Sequence, residues 1–152
     1  MKKILVYVLC MLFIVGLAGC SGSEPSYYGV WSVDSVLQDA PLGDFEKADL
    51  EKIQNTRLTF SAKEANCFGD QLDSLGQIVS DPEYVAIDIP KESFEQLTGT
   101  TFDSLGVKGS TIPQISVIND PSYNNGIVFY VVNDETLLAN SLGTFFVLKK
   151  AE

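Results

Sequence analysis

The strongest constraint on the fold lies near the C-terminus. There "IVFYVV", "TLLAN" and "TFFVLKK" succeed one another, with Asn133-Asp134-Glu135 and Ser141-Leu142-Gly143 between them. Short runs rich in β-branched and aromatic residues, separated by two or three turn residues, fold as consecutive antiparallel strands. Side chains alternate faces along a strand, so Phe145 and Val147 share one face of the last run while Phe146 and Leu148 share the other. Both faces are apolar. A sheet with one wet face has no use for this, so a helix of the same chain or another chain must cover the second face.

The same period runs upstream. Residues 28–37 alternate, with Trp31, Val33, Ser35 and Leu37 on one face and Val30, Ser32, Asp34 and Val36 on the other. Further strands are expected at 57–60, 64–68, 84–89 (Val85, Ile87 and Ile89 on one face) and 112–118. Asp44 can cap a helix whose apolar side carries Phe45, Ala48, Leu50 and Ile53, with Glu46 at its positive end. This helix is the expected cover for the last strands. Pro90 opens a shorter helix with Phe94 and Leu97 on one side and Gly99 as its stop, and "TFDSLGV" reads as one further turn. The pattern predicts a mainly β fold: an antiparallel barrel or sandwich of about eight strands with one or two short helices, forming a single domain over 28–152.

The first nineteen residues have a different character. Lys2 and Lys3 precede an apolar run from Ile4 to Leu17, which is short of the ~20 residues a spanning helix needs. Leu17-Ala18-Gly19-Cys20 resembles the lipobox of bacterial lipoproteins. The resemblance implies cleavage before Cys20, diacylglycerol on its thiol, and anchorage to the outer face of the cell membrane, or to the outer membrane of a cell with two. Two or more acyl chains hold a protein stably where one holds it marginally. Residues 20–27 then form a lipidated tether, small and polar with one proline. Its six residues 21–26 reach only about 20 Å when extended.

Removing residues 1–19 leaves eight basic against twenty acidic side chains, a net −12. So acidic a chain repels phosphate backbones and anionic headgroups, which argues against nucleic acid as a partner. With Cys20 lipidated and Cys10 cut away, Cys67 is the one remaining thiol, so no internal disulfide can form. The chain has no histidine, which removes Ser-His-Asp and Cys-His catalysis and the common metal sites. No carboxylate pair stands out as a glycosidase-type dyad. The stretch 119–126 holds oxygen ligands without calcium-loop spacing, and Asp-Pro and Asn-Gly make it a turn. Residues 70–76 read as a polar connection. No enzyme activity, metal or cofactor is expected.

Tyr28-Gly29-Val30-Trp31 resembles the G-x-W opening of lipocalins and other calycin barrels, and the stretch from Gly143 to Lys149 is similar to the ending of small bacterial lipoproteins with such a domain. The resemblance implies a calycin-like barrel in which a basic residue of the last strand, Lys149 or Lys150 here, packs across the Trp ring. It also implies a small apolar ligand or a peptide at the open end. Tyr27, Tyr28, Trp31, Tyr84, Phe129, Tyr130, Phe145 and Phe146 either fill or line such a barrel, with Trp31, Tyr84, Phe129 and Phe145 the candidate binding residues. The alternative is an envelope protein-interaction module, an inhibitor or assembly factor, working through a strand edge or loops.

Overall fold

A computed structural model of the chain describes residues 24–37, 47–54, 56–67, 77–118, 128–141 and 144–151. Cys20 and its lipobox, the helix start at Asp44 and Phe45, and the stretches 70–76 and 119–126 lie outside them. Nine strands form one antiparallel sheet: β1 (Gly29–Val36), β2 (Arg57–Phe60), β3 (Glu64–Cys67), β4 (Gln77–Ser80), β5 (Glu83–Pro90), β6 (Thr111–Ile118), β7 (Val128–Asn133), β8 (Thr136–Ser141) and β9 (Thr144–Lys150). Three short helices accompany them: α1 (Lys47–Ile53), α2 (Lys91–Thr98) and α3 (Phe102–Leu105). The strand order is β4-β3-β2-β1-β9-β8-β7-β6-β5.

That order forces the sheet to curl. Its two edges, β4 and β5, are consecutive in the chain, with only Asp81 and Pro82 between them. Eight strand spacings of ~4.8 Å would put the edges of a flat sheet roughly 38 Å apart. Three peptide steps of 3.8 Å allow at most about 11 Å between Ser80 and Glu83. The result is a half-barrel closed at one corner. Asp81 makes the corner with φ 48°, a left-handed conformation that Asp tolerates better than most residues. Tyr84 laces it: its hydroxyl donates to the Ser61 carbonyl at 2.9 Å and accepts from the Ser61 amide at 3.2 Å. The Asp81 amide donates to the Lys63 carbonyl at 2.8 Å.

The strand count is nine rather than eight. The added strand is β4, which follows the polar connection 70–76 and which sequence periodicity does not assign. Eight antiparallel steps separate β4 from β5 around the sheet, so both run in the same sense. They act as one strand broken at Asp81-Pro82, its first part pairing with β3 and its second with β6.

Two apolar clusters occupy the two faces. The inner one gathers Trp31, Leu58, Phe60, Phe129, Phe146 and Leu148 among others. The outer one contains Phe94, Phe102, Ile112, Tyr130, Leu138 and Phe145. The doubly apolar last strands are thus covered, but by α2 and α3 rather than by the helix after Asp44. Helix α1 instead sends Ile53 into the inner cluster, with Leu50 packed against it. Phe94 and Phe102 meet edge-on at 5.4 Å, and Phe94 meets Tyr130 at 5.1 Å. Glu95 Oε1 accepts from the Phe102 amide at 2.9 Å and so ties the two helices together. Gly99 and Gly106, both left-handed, close them.

Strand β1 departs from strict alternation. Its register against β9 shifts between Val33 and Ser35. As a result Val36, not Ser35, joins Trp31 and Val33 at the inner cluster, and Leu37 joins the outer one. A bulge adds one residue and flips every side chain after it.

Candidate functional site

Gly29, Trp31 and Lys150 build one end of the half-barrel. Trp31 is 0% exposed and its Nε1 donates to the Tyr27 carbonyl at 2.9 Å. Trp31 pairs with Lys150 across β1 and β9, which brings the Lys150 Nζ to 5.4 Å from the Trp31 ring centroid. Lys150 Nζ also donates to the Ser26 carbonyl at 3.1 Å. Lys149 turns the other way and donates to Thr136 Oγ1 at 2.8 Å. Of the two candidate lysines, Lys150 makes the cation–π contact.

Gly29 has φ 138°, and a Cβ there would lie 3.1 Å from Lys150 Cε. The lysine stem can move aside, whereas the backbone strain remains whatever the space. Gly29→Ala should therefore destabilise the fold by about 1–3 kcal/mol, and Lys150→Ala should not rescue it. Urea unfolding of the single and double variants checks this, and full rescue would assign the effect to crowding instead.

The four candidate binding residues do not form one site. Trp31 and Phe129 are buried in the inner cluster, and Tyr84 packs against it. Phe145 lies on the opposite face beneath the helices. Tyr27 and Tyr28 close the end, with ring centroids 5.3 and 5.5 Å from Tyr84, and Tyr27 is 5.5 Å from Phe129. Phe60 stacks on Phe129 at 4.5 Å. Among the described residues these rings pack against one another in the inner cluster. Burial pushes the Tyr130 phenol above its ordinary range. Burial, then the neighbouring Tyr28, does the same to Tyr27. Both stay protonated at neutral pH, so neither is poised as a base. Among the described residues no group of three or more His, Cys, Asp or Glu side chains could hold a metal ion. No helix among them is long and apolar enough to cross a membrane.

A different feature stands open. From Val85 to Asp88, β5 is exposed on both faces, and no described strand pairs with its outer edge. Val85 and Ile87 are 37% and 49% exposed, and Leu97 of α2 is 57% exposed. A groove of about 480 Å³ lies between α2 and the β5–β6 pair, lined by Ile89, Ser93, Gln96, Leu97 and Gln114. Strand β6 pairs with β5 along its whole length, from Thr111 to Ile118, and its pairs with β7 run from Gln114 to Ser116. Alternation alone places Val85, Ile87 and Ile89 together on one face of an ordinary strand. Only Ile89, packed against the outer cluster, sits as that pattern implies. The available signal was the company they keep: Glu83, Asp88 and Pro90 are the residue types that mark an edge strand.

A second, smaller depression of about 280 Å³ lies between β1, β9 and α3, where Ser35, Thr100 and Ser104 share the wall with Leu37, Leu105 and Val147. Its polar side chains are neutral hydroxyls, and it offers no charged anchor. Comparison with family models, with curated proteins and with solved structures finds no match to this chain.

Proposed function

We propose that this protein is a lipid-anchored, non-enzymatic interaction module of the cell envelope. In this reading its curled sheet is a calycin-like barrel that binds other proteins on its outside. The observation that carries the reading is the contrast between a filled interior and an open edge. Trp31, Phe60, Phe129 and Phe146 are at most 2% exposed inside the curl, while β5 presents an outer edge that no described strand pairs with and exposed apolar side chains at Val85 and Ile87. The Gly29–Trp31–Lys150 arrangement supports the calycin-like architecture. The sequence supports the anchor through Leu17-Ala18-Gly19-Cys20, and the absence of any histidine supports a non-catalytic role. A small apolar ligand within the barrel has less support, because core side chains already occupy that space.

Native mass spectrometry of the full-length protein, released from mild detergent, tests the choice. The expected spectrum contains the polypeptide with its own acyl groups and nothing more. An additional apolar mass that organic solvent removes would overturn the interaction reading and restore a carrier.

A further inference from the structure

We infer that the outer edge of β5 accepts an extended basic peptide, which adds to the sheet as an antiparallel strand. This rests on the interaction-module reading and names its partner class. The edge strand supplies the first half of the argument. An unpaired strand edge is a row of amides and carbonyls ready for a further strand, and side chains on the added strand then meet those of the edge in register. On one face of β5 the added strand would meet Val85 and Ile87, both exposed. On the other it would meet Ala86 and Asp88, both exposed. The peptide that fits has apolar residues at alternate positions and a lysine or arginine opposite Asp88.

Charge supplies the second half. Over residues 81–98 the chain carries Asp81, Glu83, Asp88, Glu92 and Glu95 against Lys91 alone, and Lys91 is already 3.7 Å from Glu95. A second copy of this chain would bring the same acidic edge and be repelled, as inward and flanking charges on edge strands normally ensure. Anionic lipid is repelled for the same reason. A basic partner is attracted, and its β-strand form satisfies the edge.

The test uses the full-length chain in detergent and three capped heptapeptides: alternating Lys and Val, alternating Glu and Val, and the Lys/Val sequence with a central proline. Fluorescence anisotropy reads affinity, and hydrogen exchange reads protection of residues 83–90. The Lys/Val peptide should bind at least ~10-fold more tightly than either of the others, since a 1.4 kcal/mol difference is tenfold, and should slow exchange within β5. Asp88→Lys should weaken it by a similar factor. Asp34→Lys, five strands away around the sheet, should weaken it much less. Equal losses from both variants would reduce the binding to general attraction by an acidic protein and overturn the proposal. So would tight binding with no protection of β5, or no peptide discrimination at all. Any of these outcomes with a cargo-free native spectrum leaves the interaction module standing and removes only this edge and partner class.

Discussion

Replacing Trp31 with alanine is expected to lower the unfolding free energy by about 3–5 kcal/mol, in the range for a buried aromatic truncated to a methyl group. Three losses act together. The ring is 0% exposed within the inner cluster, so its removal leaves a cavity whose walls, built from strands, collapse only in part. The Tyr27 carbonyl loses the indole N–H at 2.9 Å. Lys150 loses the face over which its ammonium sits. The last of these is the smallest, about 0.5–1 kcal/mol at an exposed site. A double-mutant cycle with Lys150→Met should isolate it as a coupling of that size. Because Trp31 is the chain's one tryptophan, the unfolding must be monitored by far-ultraviolet circular dichroism rather than indole fluorescence. A loss below about 1 kcal/mol with an unchanged denaturant slope would mean that the end of the half-barrel is not packed as described.

Phe145 and Phe146 show how far the sequence can be read and where it stops. Their adjacency in a strand dictates opposite faces, and that prediction needs nothing beyond the pleat. Which face is inside depends on how the sheet curls, and the curl comes from the β4–β5 corner, where four residues of strand end at Asp81 and Pro82. Periodicity over so short a run cannot announce a strand, so β4 and the ninth position it takes stay hidden in the sequence. The helices show the same limit. An apolar stripe says that a helix must be covered, but not which surface covers it. Pattern alone therefore assigns the cover of the last strands to α1, whereas Phe94 and Phe102 provide it.

The candidate site failed to show for a related reason. Val85, Ile87 and Ile89 alternate as they would in the middle of any half-buried sheet. Exposure at the first two comes from where β5 lies in the strand order, a property of the whole topology and not of the strand. Register has a similarly distant origin at Ser35. One extra residue in β1 turns Val36 inward, and no local preference at Asp34 or Ser35 announces it.

Cys20→Ser is the variant expected to have the largest effect on where the protein resides. If Leu17-Ala18-Gly19-Cys20 directs lipidation, serine at position 20 offers no thiol for the diacylglycerol thioether, and the precursor retains residues 1–19. Two changes in mass then oppose each other: the signal segment is kept and the lipid is lost. Each buried methylene contributes ~0.8 kcal/mol to membrane attachment, so losing two acyl chains removes most of it. The retained apolar run of fourteen residues spans only about 21 Å as a helix, short of a ~30 Å hydrocarbon core, and substitutes poorly for them. Metabolic labelling with a fatty acid, then intact-mass measurement, should therefore find label on the parent and none on the heavier, uncut polypeptide of the variant. Label on Cys20→Ser would place the acyl group elsewhere and sink the lipobox reading. An unlabelled parent would do the same, and it would also remove the ~20 Å limit that the tether sets on the distance between the domain and the bilayer.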